Sequence, residues 1–247
     1  MQVLLPLKEF AAAKQRLSGL LSAAERAHLF QAMVEDVLGV LTTHADIERV
    51  VVCSRDHSAQ WLASHYDIEF LDESMLGAND LNSAVNTAAQ RLAAEGCDDL
   101  LVVHGDLPLL SVDDISSFLA QHRRAGATAV TMAPDRRRSG TNLLAWRPLP
   151  LFSVCYGVDS FALHCAQARQ LEIEPTICDL SGARCDIDEP EDLLFLIAQP
   201  GHTAAVSSLA FLRDNGIAAR LHAMQRGANS VDDRDTHHTY GRDSDCA

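Results

Sequence analysis

Two short acidic segments and one basic loop carry the side chains that could do chemistry in this chain. Asp106 stands directly after Leu100-Leu101-Val102-Val103, the most apolar strand-like run, within His104-Gly105-Asp106-Leu107-Pro108. A carboxylate there is held at the carboxyl edge of a sheet, beside the crevice where open α/β sheets bind their ligands. An Asp that caps the turn closed by Pro108 accounts for an isolated Gly-Asp-x-Pro equally well. The second acidic segment is Cys185-Asp186-Ile187-Asp188-Glu189-Pro190-Glu191-Asp192. A spacing of two puts Asp186 and Asp188 on one side of an extended chain, and Pro190 opens a helix. Compensation of the helix dipole explains Glu191 and Asp192. It explains Asp186 and Asp188 less well, because their like charges repel unless a cation lies beside them. Two hard carboxylates from distant segments, with positions left for phosphate oxygens and water, suit Mg²⁺ better than zinc. A nucleoside triphosphate is the usual partner of that ion.

The basic loop follows the first strand-like segment, Val3 to Leu7. Of the 20 Lys and Arg residues only two are lysines, and both, Lys8 and Lys14, lie in the first 14 positions. With Arg16 they could hold a phosphate chain and invert a negative field locally. Taken alone, the three cations also read as a solvated face. The loop contains neither the Gly-x-x-x-x-Gly-Lys phosphate loop nor the dinucleotide fingerprint.

The elements that must position these groups alternate along the chain. After Val3 to Leu7 a capping box, Ser22-Ala23-Ala24-Glu25, opens a helix to about Thr42, with Leu29, Met33, Val37 and Leu41 at intervals of four. Strands are expected at Val50–Cys53, Ile68–Leu71, Leu100–Val103, Ala127–Met132 and Leu143–Trp146, with an extended stretch from Glu172 to Cys178. Helices are expected from Asp80 to Ala94, Val112 to His122, Ser160 to Arg169, and Pro190 to just before Pro200. This alternation implies βαβ units and a mainly parallel sheet buried on both faces, with one domain over residues 1–200. A last helix is expected within 201–224, where exposed Leu209 and Phe211 would suit a homodimer contact. The polar segment 225–247 reads as a disordered tail.

Composition narrows the function classes. The chain has 247 residues, 47% of them hydrophobic, and 34 Asp and Glu against 20 Lys and Arg, a net charge of −14. That apolar content fills a core, and so acidic a surface repels a nucleic-acid backbone. No apolar run approaches the about 20 residues of a membrane helix, and the amino end does not read as a secretory leader. Seven cysteines without a Cys-x-x-Cys pair read as reduced thiols of a cytoplasmic protein.

Six ordered motifs over residues 3 to 198 resemble the 2-phospho-L-lactate guanylyltransferases of coenzyme F420 biosynthesis, within the wider nucleotidyltransferase group that includes the molybdenum-cofactor guanylyltransferases. They are Leu5-Pro6-Leu7-Lys8 with Ala12-Ala13-Lys14-Gln15-Arg16-Leu17, Leu81-Asn82-Ser83-Ala84, Gly105-Asp106-Leu107-Pro108, Gly140-Thr141-Asn142, Tyr156-Gly157 with Ser160-Phe161, and Asp186 through Leu193. The resemblance implies a three-layer α/β nucleotidyltransferase fold and transfer of GMP from GTP to the phosphate of a small phosphorylated carboxylic acid. It implies that Asp106 and Asp188 hold Mg²⁺. It also implies that Lys8, Lys14 and Arg16 bind the nucleotide's phosphates, that Asn82 lies near the nucleoside, and that Thr141, Gly157 and Ser160 hold the acceptor's phosphate and carboxylate. A relative with a molybdopterin or sugar-phosphate acceptor, or a non-catalytic nucleotide-binding module, is the alternative. The chain departs from the family pattern at Asp159, where a small residue is common, at Glu189, where Thr is usual, and at His104, which reads as a satisfied strand-end histidine. Arg136-Arg137-Arg138 reads as a solvated loop, although it lies close enough in sequence to Thr141 to attract the acceptor.

Overall fold

The computed structural model describes residues 1–199 and 204–224. Its strands are β1 (Gln2–Pro6), β2 (Arg49–Ser54), β3 (Glu69–Asp72), β4 (Leu100–Val103), β5 (Ala129–Pro134), β6 (Thr141–Arg147) and β7 (Thr176–Ile177). Its helices are α1 (Ala23–Thr43), α2 (His57–His65), α3 (Leu81–Ala94), α4 (Val112–Arg124), α5 (Ser160–Gln170), α6 (Pro190–Ile197) and α7 (Val206–Asp214). Among the described residues the strands form one sheet in the order β3-β2-β1-β4-β6-β5-β7. β6 runs antiparallel to β4 and β5, and the other pairings are parallel.

The burial of β1 shows why the sheet needs two helical layers. Val3 and Leu5 join one core cluster, built with apolar residues of α1, α2, α4, α6 and α7, while Leu4 joins a second cluster with residues of α3 and α5. Successive side chains of a strand point to opposite faces, so an all-apolar strand must be covered on both. The expected three-layer α/β architecture is the one formed. No described helix is long and apolar enough to cross a membrane.

Local signals placed most elements. The Glu25 N–H donates to Ser22 Oγ at 3.3 Å, and the Ser22 N–H donates to the Glu25 carboxylate at 2.8 Å, closing the capping box that starts α1. Helix α2 is an addition to the expected set. Its buried face consists only of Ala59, Leu62 and Ala63, too few positions to create a periodic signal. The single helix expected from Gly201 is instead α7, a turn at Asn215 and Gly216, and a second helical stretch over 217–224. Leu209 and Phe211, expected to be exposed, are half-buried against the core. The expected tail, 225–247, lies outside the described residues.

Candidate active site

A crevice of about 910 Å³ opens at the carboxyl ends of the parallel strands, and Lys8, Lys14, Arg16, Asn82, Asp106, Thr141, Gly157, Ser160 and Asp188 all line it. β1 and β4 deliver the first loop and Asp106 directly. Thr141 belongs to the amino end of β6, and reaches the same edge because β6 runs against its neighbours.

The two acidic segments meet through their backbone. The Ile187 N–H donates to the Asp106 carbonyl at 3.2 Å, and the Ile187 side chain is fully buried in the core. Its neighbours Asp186 and Asp188 therefore turn the other way, into the crevice, as the spacing of two requires. Gly182 permits the approach, since a Cβ there would meet the Leu109 carbonyl oxygen and Asp114.

Lys14 holds the carboxylates together. Its Nζ donates to Asp106 Oδ2 at 2.7 Å and to Asp188 Oδ1 at 2.8 Å, so both oxygens lie within reach of one cationic centre. The Lys14 side chain is only 5% exposed, and its backbone occupies the left-handed region at φ 54°, between short 3₁₀ turns at Phe10–Ala12 and Gln15–Leu17. Phe10 anchors this loop, packing edge-on against Phe30 while its N–H donates to Asp56 at 2.6 Å. Burial disfavours the charged Lys14, but the attraction of Asp106 and Asp188 outweighs it and raises the ammonium above its ordinary range. Burial likewise opposes the charged Asp106, and Lys14 holds that carboxyl below the usual range. Among the described residues no cation pairs with Asp186. Burial, aided by the charge of Asp106, pushes its carboxyl up to about 6, while Asn142 donates to it at 3.2 Å.

The opposite wall is an extended segment gripped from both sides. On α3, Asn82 donates to the Tyr156 carbonyl at 2.9 Å and accepts from the Tyr156 N–H at 2.6 Å. One turn later Asn86 repeats the pattern on Val154, at 3.3 and 2.8 Å. These side-chain amides pair with the segment as a neighbouring strand would. Asn82 thus uses one N–H and one lone pair of its amide to hold Tyr156, while still lining the crevice. The wall continues to Gly157, at φ 138°, where only glycine is unstrained, and to Ser160 at the start of α5. Asp159 stands at the N-cap position with φ 55°, and its side chain makes no capping bond.

Three further expectations change. His104 is not satisfied, because its buried Nε2 has no partner among the described residues. The arginine loop is not merely solvated: Arg136 pairs with Asp192 and Arg137 with Glu189, each across the crevice mouth. Arg16 reaches the other oxygen of Glu189 at 3.2 Å, whereas Lys8 is exposed and makes no ion pair among the described residues. Nor do the cations invert the field unaided, since the lining carries eight carboxylates against six Lys and Arg. Asp186, Arg136 and Arg137 also line the crevice, and Asn86 holds its wall, although the motifs gave none of them a role. Asp186 was visible from the spacing of two; the others depend on contacts between distant segments.

Comparison with known proteins shows the family and the fold. A phosphoenolpyruvate guanylyltransferase from Roseiflexus castenholzii is 39% identical over 204 residues, covering 82% of this chain and 90% of that protein. A 2-phospho-L-lactate guanylyltransferase from Methanothermobacter thermautotrophicus is 34% identical over 210 residues, covering 85% and 90%. Among solved structures, a candidate nucleotide-diphospho-sugar transferase from Desulfovibrio desulfuricans G20 superposes with a TM-score of 0.72 at 18% identity, over 90% of this chain and 96% of that one. CMP:2-keto-3-deoxy-manno-octonic acid synthetase complexed with CTP superposes at 0.55 with 15% identity, over 80% and 98%, a likeness of fold. With residues 1–234 matching the family described as guanylyl transferase CofC like, the chain belongs to that family of nucleotidyltransferases.

Proposed function

We propose that the protein transfers GMP from GTP to the phosphate of a small phosphorylated carboxylic acid in coenzyme F420 biosynthesis, with phosphoenolpyruvate as the first acceptor to test and 2-phospho-L-lactate as the second. The observation that carries this reading is the meeting of Asp106 and Asp188 on one cationic centre in the crevice. The name of the relative at 39% identity favours phosphoenolpyruvate.

The donor set fits Mg²⁺. Both ligands are hard carboxylates, and Asp106 Oδ1 is buried without a hydrogen-bond partner among the described residues, an acceptor left over by the protein's own groups. Asp106 and Asp188 would hold the ion, with Asp186 beside them. Bound there, Mg²⁺ supplies positive charge for the triphosphate and the departing pyrophosphate. The carboxylate excess of the lining supports this reading, since a triphosphate brings further negative charge.

In the reaction, an acceptor phosphate oxygen forms a bond to the α-phosphorus of GTP as the bond to the bridging oxygen breaks, and pyrophosphate leaves with the electron pair. The attacking oxygen is already anionic, so no general base is required, and catalysis consists of alignment and charge stabilisation. Lys8 and Arg16 serve the phosphate chain from the mouth. Lys14 keeps the two aspartates in register. Thr141, Gly157 and Ser160 receive the acceptor's phosphate and carboxylate, and Asn82 holds the wall that carries Gly157.

The test is pyrophosphate release with GTP, Mg²⁺ and, in parallel, phosphoenolpyruvate, 2-phospho-L-lactate and 3-phospho-D-glycerate. Release is expected with one of the first two, and Asp106→Asn should lose it while keeping a native circular dichroism spectrum. No release with any acceptor refutes the transfer; normal turnover by Asp106→Asn refutes the metal assignment.

A further inference from the structure

Behind the acceptor wall, outside the crevice lining, lies a histidine that motif reading passed over. His164, on α5, is fully buried. Its Nε2 lies 2.9 Å from the backbone nitrogen of Cys155, and its Nδ1 lies 3.0 Å from Thr141 Oγ1. A backbone N–H can only donate, so Nε2 must present its lone pair. Burial, with a smaller push from His104, lowers the imidazole to about 4, so the ring is neutral at neutral pH and its proton sits on Nδ1. That Nδ1–H donates to Thr141 Oγ1. The threonine oxygen therefore accepts from behind, and its own proton is free to point elsewhere. Among the described residues no acceptor takes that proton, and Thr141, itself only 2% exposed, lines the crevice.

We infer that His164 is a positioning residue that fixes the Thr141 hydroxyl as a hydrogen-bond donor into the crevice, selecting an anionic oxygen of the acceptor. The inference rests on the reading of Thr141 as an acceptor contact. The opposite tautomer would reverse the outcome. With its proton on Nε2, the ring could no longer receive the Cys155 N–H, and the threonine proton would turn back towards Nδ1, leaving oxygen lone pairs facing an anion. One imidazole thus ties together two parts of the acceptor wall, the start of β6 and the segment that leads to Gly157. Asn82 and Asn86 grip that segment from the other side. Those amides place the wall, whereas His164 also determines which way a hydroxyl donates.

Two measurements test this. In the wild-type protein at pH 7.5, imidazole ¹⁵N shifts should report His164 protonated on Nδ1 alone; a proton on Nε2 would overturn the inference without any variant. In pyrophosphate-release kinetics, His164→Gln should raise the acceptor KM about tenfold, the effect of a misdirected hydrogen bond to a charged group, and leave the GTP KM within about twofold. Thr141→Val should do the same, and the double variant should be no worse than Thr141→Val alone. Additive losses, or equal increases in both KM values, would reduce His164 to a packing role. If His164→Gln does not fold, the ¹⁵N tautomer decides. A wild-type protein that releases no pyrophosphate with any acceptor would refute the reaction and not the tautomer, so the two failures are distinguishable.

Discussion

The ammonium of Lys14 occupies the position to which a divalent cation is also drawn, between Asp106 and Asp188. Removing it leaves two carboxylates close together, one of them largely buried. Breaking such a pair costs about 3–5 kcal/mol when fully buried, and the partial exposure of Asp188 places this case near the lower end. Lys14→Met should therefore lose about 3 kcal/mol in metal-free buffer and recover part of it in millimolar Mg²⁺ by mass action. Wild type should gain less, because Lys14 already neutralises part of the charge of those carboxylates. Urea denaturation with and without Mg²⁺ measures the difference; equal Mg²⁺ responses would contradict a shared site. His164 supplies a pH signature at the same scale. Its imidazole protonates near 6.5 when unfolded and only at about 4 when folded, so the unfolded state binds more protons in that interval. Stability is fully present above pH 6.5 and falls as pH drops towards 4, by at most about 3 kcal/mol. Urea midpoints at pH 7.5 and 4.5 should show a shallower loss in His164→Gln.

Helix ends separate what neighbouring residues encode from what they cannot. The caps of α1, α3 and α4 lie three residues from their partners, at Ser22, Asp80 and Ser111, and each can be read from the chain. Helix α7 has Ala205 at its N-cap position and no local side chain to serve it. Asp36 of α1 takes that role across 171 residues, accepting from the Ser207 N–H at 2.7 Å and the Ser208 N–H at 2.9 Å. Asp36→Ala should cost about 1–2 kcal/mol, the usual worth of a cap. Amide exchange over Val206–Asp214 should accelerate before the rest of the chain. Unchanged exchange there would mean that packing on α1 alone holds the helix. The strand directions divide in the same way. Alternation of strands and helices predicts a parallel sheet, but the reversal of β6, which brings Thr141 to the ligand edge, has no mark in residues 141–147 themselves.

Across the whole molecule, ion pairs close the crevice mouth between segments far apart in sequence. Glu189 receives Arg16 from the first loop and Arg137 from the loop before β6, while Asp192 receives Arg136. Glu189 thus pairs with two guanidinium groups, and under the proposed function it competes for them with the triphosphate. Glu189→Gln should lower the GTP KM severalfold at low salt, and the gain should shrink in about 0.5 M NaCl as screening removes the competition. An unchanged KM at low salt would leave the pairs a structural role only. The amino-acid sequence by itself determined the layered α/β fold, the helices with local caps, and nine of the residues that line the crevice. Those follow from periodicities and short motifs, in which each residue's role depends on near neighbours. Only the tertiary structure decided what each lining residue touches: Lys14 lies between the aspartates, Asn82 is engaged by Tyr156, and His164 stands behind Thr141. A hydrogen bond needs an atom placed to within a fraction of an ångström, and between segments tens of residues apart that placement belongs to the packed core, not to local spacing.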